Sequence, residues 1–394
     1  MATIGIDIGA YQHAVAVCRD GQVDAERRVV RISADRSGFD QLDTLLGEVG
    51  PVDRAAMESS GHYWLGIASH LQRRGVPVAV VNPVSSKYFA KRRSQRAKSD
   101  PADARTLAAL AMVDRPRTRD PLASAELREA ARFAMGLVQE QARVCQKILR
   151  LVDIGFPELR GAYEDPSCAS AIALLKVAPT ARAAAAKRTS TLAQARTGGG
   201  RVVGTKKAEQ IRAAARTTVA PPELDRQVGF EMEILIEQHE TLEHQIERAE
   251  AHLAELTDSD TVRRLRTIPG VGPATAAALV AEIGDIHRFS DFDQLVAFAG
   301  VHAAERSSGK KGADPETSWH MAKTGNAYLR AALYRMALVG TVHNPVIRHH
   351  YQRKRAAGKS KMNALGHCMK KALAIVWGVW RGGHDFLVPE GIPS

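Results

Sequence analysis

The stretch TIGIDIG, residues 3–9, constrains this chain more than any other. Its apolar residues read as a buried strand, yet Asp7 stands in the middle, close to Gly5 and Gly9. A carboxylate among apolar neighbours is costly unless it is paired or bound to a cation. An aspartate in mid-strand has few structural uses, so the fold is expected to bring something to it.

Further strand and helix patterns follow. HAVAVCR, then Asp20-Gly21, then QVDAERRVV reads as a hairpin, because Asp-Gly suits a tight turn. SGFDQLDTLLGEV is helical, RAAMES a strand, HYWLGIASHLQRRG a helix and VPVAVVN a strand, with helices starting at Pro83 and Asp100. Three strands joined by hairpins, then alternating helix and strand, predict a mixed five-stranded sheet with helices on its faces.

After about residue 119 the strand patterns stop. ASAELREAARFAMGLVQEQARVCQKILRLVDIGF reads as one long helix. Residues 160 to 220 hold Ala-rich helical pieces broken by Gly198-Gly199-Gly200, expected to be a small insert or a hinge. Then Met232/Leu235, His239/Leu242, Ile246/Ala249 and Leu253/Leu256 repeat at heptad spacing, which predicts a coiled-coil helix. Its partner is either the 123–153 helix or another chain. From about 259 the chain is helical with Gly-rich turns. The expected organisation is an α/β domain over 1–118, a helical coiled-coil region over 119–258 and a mainly α domain over 259–394.

Composition narrows the partner. The chain of 394 residues has 55 Lys and Arg against 43 Asp and Glu, a net charge of +12. That excess favours a polyanion, nucleic acid before membrane. Cys18, Cys145, Cys168 and Cys368 lie far apart without a CxxC pair, as reduced and mostly buried thiols of a cytosolic protein would. The N-terminus shows no basic-then-apolar leader, and the longest apolar run, ALAIVWGVW, is too short for a membrane span. There is no P-loop and no dinucleotide fingerprint, and HETLEH is not the zincin pattern.

Four constellations carry chemistry. Asp7 lies in the first strand, Glu58 ends the fourth, and Asp100 and Asp103 begin a helix. With the first strand central, Asp7 and Glu58 are neighbours. Four carboxylates meeting there would repel unless they bound hard divalent cations, Mg²⁺ or Mn²⁺, of which a pair can clamp the oxygens of a phosphodiester. Read alone, Asp100 and Asp103 are only helix-start charges beside a Pro at the first turn. Second, RRLRTIPGVGPATAAALVAEIGD has the pattern of a helix-hairpin-helix, in which the amides around Gly270 and Gly272 would hold a phosphate; the plain alternative is an ordinary helix–helix turn. Third, Ser307 and Ser308 precede Gly309, Lys310 and Lys311; a serine there could attack a phosphodiester, and Lys323, Asn326 and Arg330 could add phosphate contacts. From physics alone, a solvated loop is the simpler reading of that segment. Fourth, Lys87 to Lys98 includes Lys91, Arg92, Arg93, Arg96 and Lys98 and no acid, while Arg348 to Lys371 holds eight Lys and Arg and no acid.

Taken together, GIDIG, MESSGHYW, VNP at Val81–Pro83 and KSDPADA resemble the N-terminal domain of the bacterial DEDD transposases of the "IS one-ten" insertion sequences, which include the Piv-type DNA invertases. IPGVGPATAAALVAEIGD, FDQLVAFAGV, SSGKK and KTGNAYLRAAL resemble that family's C-terminal transposase domain. The matches run in order along nearly the whole chain, weakest around 160 to 220. The resemblance implies an RNase H-like, RuvC-like first domain in which Asp7, Glu58, Asp100 and Asp103 bind two Mg²⁺. It implies that Ser308 is the nucleophile of DNA strand exchange, with Ser307 adjacent to it. It also implies double-stranded DNA and a structured bridge RNA as partners, a homodimer that pairs into a tetramer, and a cytoplasmic, nucleoid-associated bacterial protein. The competing expectation is a metal-dependent junction nuclease or structural nucleic-acid binder without a covalent intermediate. A kinase-like actin fold, which GIDIG also opens, is disfavoured by the lack of further phosphate-binding glycine motifs.

Overall fold

A computed structural model describes residues 1–19, 29–59, 61–92, 99–118, 120, 122–257, 259–304, 320–322 and 324–392. The chain divides into two compact units, Met1–Ala125 and Glu126–Ser394.

The first unit contains β1 (Ala2–Ile8), β2 (Gln12–Arg19), β3 (Val29–Ser33), α1 (Arg36–Val49), β4 (Val52–Glu58), α2 (Trp64–Arg73), β5 (Val78–Val81), α3 (Pro83–Arg92) and α4 (Asp100–Val113). The sheet order is β3-β2-β1-β4-β5, with β1 central as expected. β1–β2 and β2–β3 are antiparallel, and β1–β4 and β4–β5 are parallel. The Asp20-Gly21 turn and most of the segment read as the third strand lie outside the described residues; β3 itself runs to Ser33.

Alternation along the strands gives the two faces different chemistry. Ile4, Ile6, Val15, Val17, Ile32 and Met57 pack with Leu42 and Leu45 of α1 and Trp64, Ile67 and Leu71 of α2. The opposite face is built from small residues. Ala14, Ala16 and Cys18 meet Ala104 and Ala108 of α4, and Ala56 and Val81 meet Phe89 of α3 and Leu107. Small side chains let a helix lie close to a sheet, and here Gly5 removes the last obstacle. A Cβ on Gly5 would lie 2.1 Å from both the Ala104 carbonyl oxygen and the Ala108 amide nitrogen. One residue pair back, the Thr3 hydroxyl donates to the Ala108 carbonyl at 3.0 Å.

The second unit is helical. Its long helices are α5 (Ala125–Gly155) and α11 (Asp225–Leu256). Between them lie α6 (Leu159–Ala162), α7 (Ala169–Val177), α8 (Ala181–Ala186), α9 (Thr189–Ala193) and α10 (Thr205–Arg216). After them come α12 (Asp260–Leu265), α13 (Pro273–Ile283), α14 (Phe292–Ala299), the short strands β6 (Ala303–Ala304) and β7 (His320–Met321), and α15 (Ala327–His343), α16 (Pro345–Ala356) and α17 (Lys361–Gly382). One cluster joins Val144, Ile148 and Leu151 of α5 to Val228, Met232 and Ile236 of α11 and to the Ala-rich helices between them. A second joins Ala131, Ala134 and Met135 of α5 to Leu253 of α11 and to α12–α17. The two long helices therefore run in opposite directions within one chain, with Gly155 of α5 against Val228 of α11. The Ala-rich stretch, expected as an insert or a hinge, is packed into the first of these clusters. Leu174, Leu175, Ala181, Ala184, Leu192 and Ala208 are buried, because alanine helices gain stability only by packing closely. The triple glycine occupies the turn of a small hairpin closed by the Arg196–Val202 bridge.

Candidate active site

β1 and β4 deliver the first two acids. Ile6 pairs with Met57 in the parallel ladder, so the next residues, Asp7 and Glu58, lie side by side at the C-terminal ends of the strands. They share the small-residue face, since Ile6 and Met57 point to the other. α4 delivers the other two. Its N-cap is Ser99, Pro101 sits in the first turn, and Asp100 and Asp103 are the acidic residues of that turn. Because α4 rests on Gly5 and Thr3, its N-terminus comes over the end of β1. The four acids meet electrostatically. Burial, followed by the fields of Asp103, Asp100 and Glu58, pushes the Asp7 carboxyl up to about 6. Among the described residues no three His, Cys, Asp or Glu side chains close on one point as metal ligands. The four acids thus share a field without forming a finished cage.

Ser86 was not legible as part of this site. It is buried in α3, and its hydroxyl donates to Glu58 Oε1 in a short hydrogen bond while also reaching the Pro83 carbonyl at 3.0 Å. The VNP motif sets this up, since Asn82 Oδ1 accepts from the Val84 amide at the start of α3. No local sequence signal marks Ser86, because its partner is 28 residues away.

The basic residues divide. Lys91 and Arg92 end α3, exposed; Arg92 pairs with Asp114 at 2.6 Å and lies over the Phe89 ring. Arg93, Arg96 and Lys98 lie outside the described residues, as do Ser307, Ser308, Gly309, Lys310, Lys311 and Lys323.

The chain on either side of the serine motif is described, and it is fastened together. β6 pairs with β7, and the Ala322 amide donates to the His302 carbonyl at 3.0 Å. Behind them Gly300 and Gly325 stand back to back. A Cβ on Gly325 would lie 2.2 Å from the Phe298 oxygen and 2.4 Å from the Gly300 nitrogen. Arg330 donates to the carbonyls of Ala299 and Gly325, both at 3.2 Å. Asn326 caps α15 by accepting from the Tyr328 and Leu329 amides, and donates to Glu282 Oε2 at 2.7 Å. Glu282 is buried on α13 and takes two further bonds from Arg132 of α5, at 2.6 and 3.0 Å. Asn326 and Arg330, read from sequence as phosphate contacts, are therefore committed to internal partners.

The Ile268–Gly272 turn joins α12 to α13. Gly270 has φ +87° and Gly272 is the N-cap of α13, with open space around its α-carbon. Arg263 nearby pairs with Asp260 at 3.1 Å.

Comparison with known proteins gives this arrangement its context. Residues 4–157 match the model of a DEDD transposase domain, described as "Transposase", and residues 262–352 match the model "Transposase IS116/IS110/IS902 family". Together the two models span more than half of the chain in one order. The protein of the IS117 mini-circle of Streptomyces coelicolor, described as a putative transposase, is 29% identical over 94% of this chain and 91% of its own length. The 44.8 kDa protein of insertion element IS116 from Streptomyces clavuligerus is 26% identical over 96% and 94% respectively. A 75-residue segment, 19% of this chain and 20% of the relative, is 40% identical to the transposase of IS1111A from Coxiella burnetii. The two matched models are those of DNA-recombining proteins with a DEDD transposase domain. The chain belongs to the IS110 family of insertion-sequence transposases. That domain implies an RNase H-like fold, with which the observed strand order agrees. Among the described residues no helix is long and apolar enough to cross a membrane.

Proposed function

We propose that this chain cuts and rejoins DNA at the ends of an insertion sequence, with the DEDD carboxylates and Ser308 as its working groups. The observation that carries the reading is geometric: β1 and β4 set Asp7 beside Glu58, and the first turn of α4, with Asp100 and Asp103, comes over the end of β1. Burial and then the three neighbouring carboxylates raise the Asp7 pKa. An all-oxygen set whose half-buried member is strained by like charge suits hard divalent cations, so these four residues would hold two Mg²⁺, with Mn²⁺ as a substitute. Bound there, the ions would stabilise the developing charge on the attacking and leaving oxygens of a phosphodiester. The protein's own share is placement: Ser86 orients Glu58, and α4 carries Asp100 and Asp103 to the strand ends.

The Ser308 hydroxyl attacks a backbone phosphorus. A serine–phosphate ester forms as the bond to one sugar oxygen breaks, and that oxygen takes up a proton to match the one serine loses. Reversal on a second DNA end completes the exchange. The α12–α13 turn acts as a helix-hairpin-helix contact to a DNA phosphate through the amides around Gly270 and Gly272. The protein works as a homodimer that pairs into a tetramer. A structured bridge RNA selects the DNA sites, and the protein works in the bacterial cytoplasm at the nucleoid. The oligomer and the bridge RNA rest on the family resemblance, and the helix-hairpin-helix contact on the glycine pattern of the turn.

Covalent trapping tests the mechanism. The chain is expressed with its native flanking DNA, so that any encoded RNA is present, and recombined junctions and protein-linked DNA are assayed with Mg²⁺. The expected result is an adduct formed by wild type and Ser307→Ala but absent from Ser308→Ala. Cutting without an adduct, unaffected by either substitution, would replace this reading with that of a metal-dependent junction nuclease.

A further inference from the structure

The excess positive charge of this protein is confined to one place. Between Thr317 and His384 there are 12 Lys and Arg and no Asp or Glu. Outside that stretch the remaining 43 Lys and Arg balance all 43 Asp and Glu. The net charge of +12 is thus carried by the stretch that contains α15, α16 and α17.

Some of these cations are used internally. Arg330 holds carbonyls, Arg381 donates to the Phe289 carbonyl and lies over Trp377, and Lys370 faces Asp293 at 3.9 Å. Arg335 is half-buried, and burial lowers its pKa. Arg353 reaches His350 Nδ1 at 3.3 Å, and beyond these stands a set at the elbow between α16 and α17: Lys354, Lys359, Lys361 and Lys371. Lys359 and Lys361 are exposed, on a turn whose Gly358 has φ +79°. The cluster is tight enough to be felt by its neighbours. His350 falls to about 4, from burial and then the fields of Arg353, Lys354, Lys371 and His367; His367 is lowered by burial, Lys354 and Lys359.

A structural explanation accounts for only part of the set. Arg353, Lys354 and Arg355 sit in the last turn of α16, where the helix dipole favours cations. Lys361 opens α17, at the positive end of its dipole, where a cation is disfavoured. Like charges gathered at the wrong end of a helix reduce the stability of the free protein. They are explained by an anion that offsets the repulsion when bound.

We propose that the α16–α17 elbow is a binding surface for the phosphate backbone of double-stranded DNA, read without regard to base sequence. Lys354, Lys359 and Lys361 contact phosphates, and the amides at the start of α17 beyond the Ser360 cap face the same anion. The proposal rests on the family's DNA-binding character and adds a surface that lies apart in sequence from the DEDD residues and the serine motif.

The test uses the full chain and a labelled 30-bp duplex of arbitrary sequence, titrated by fluorescence anisotropy between 50 and 200 mM NaCl. Lys354→Gln/Lys359→Gln/Lys361→Gln should lower the slope of log affinity against log salt by about 2.7, roughly 0.9 for each phosphate no longer neutralised. Affinity at 100 mM NaCl should fall at least about tenfold. The corresponding triple Lys→Arg variant should bind as wild type does, and so should Lys187→Gln/Arg188→Gln/Lys206→Gln on the Ala-rich helices. If the triple neutralisation unfolds by circular dichroism, the single Lys359→Glu on the exposed turn should still weaken binding. An unchanged slope in a folded elbow variant overturns the proposal, as does an equal loss in the Ala-rich control. Loss of duplex RNA affinity with DNA affinity intact also overturns it. Wild type that shows no salt-dependent DNA binding would sink the DNA-binding reading itself, an outcome distinct from unchanged variants.

Discussion

Gly5→Ala is the smallest change that should separate the acids without touching any of them. The new Cβ would sit 2.1 Å from backbone atoms of Ala104 and Ala108, where an ordinary contact needs about 3.4 Å. Neither neighbour is a side chain that can swing aside, so α4 must lift from β1 by about 1 Å. That stretches the 3.0 Å bond from Thr3 to Ala108 and leaves a gap over Ala14 and Ala16. Overpacking of this kind costs about 1–3 kcal/mol, offset in part by the roughly 0.5–1 kcal/mol of backbone entropy that alanine recovers over glycine. Amide hydrogen exchange of the full chain, read on β1 and α4 peptides, should therefore speed up by about tenfold, since each 1.4 kcal/mol is a factor of ten. Displacing Asp100 and Asp103 by about 1 Å relative to Asp7 should cut Mg²⁺-dependent strand cleavage by about 100-fold. Unchanged exchange together with full cleavage would refute the claim that Gly5 sets the position of α4.

Four other outcomes follow from the same geometry. Asp7→Asn and Asp103→Ala should abolish strand exchange, while Asp7→Asn leaves the melting temperature unchanged or raised, because a strained carboxylate has been removed; a fall of several degrees would contradict this. Ser86→Ala should lower cleavage by about tenfold with the fold intact by circular dichroism, and Ser86→Thr should restore part of it, since the donor to Glu58 is retained. Arg132→Ala leaves buried Glu282 without its main partner and should cost about 3 kcal/mol, more than Arg132→Ala/Glu282→Gln, as measured by chemical denaturation. Asp43 is held well below the usual carboxylate range by Arg74, with a further bond from His70 at 2.7 Å. A depressed folded pKa stabilises above the unfolded value near 4 and is lost as pH falls through the folded one. Asp43→Asn should therefore destabilise clearly at pH 7 and progressively less below pH 4.

Much of the first unit was legible because its pattern is local. Alternating apolar residues gave five strands, and a central first strand put Asp7 beside Glu58. What sequence could not show was contact across the fold. The Ala-rich stretch reads as an insert or hinge because alanine carries no period strong enough to reveal a buried face, yet it packs into a core shared with α5 and α11. Asn326 and Arg330 looked like phosphate ligands because polar residues beside glycine read the same whether they face solvent or a neighbouring carbonyl. Their partners, Glu282 and Ala299, lie 44 and 31 residues away. Ser86 and the role of Gly5 were hidden for the same reason. The partner of the heptad helix was left open by its spacing, and the fold pairs it with α5 of the same chain at both ends.

The back-to-back glycines at 300 and 325 bear on how this family can change. Because β6 meets β7 and Arg330 spans Ala299 and Gly325, the two ends of the intervening chain are already joined in the folded protein. Closing a longer connection between fixed ends adds only about 0.6 kcal/mol for each doubling of length. Insertions and deletions between Ala304 and His320 should therefore leave the helices beneath almost undisturbed. The anchorage at Gly300 and Gly325 thus sets where this stretch leaves and rejoins the helices, whatever its length.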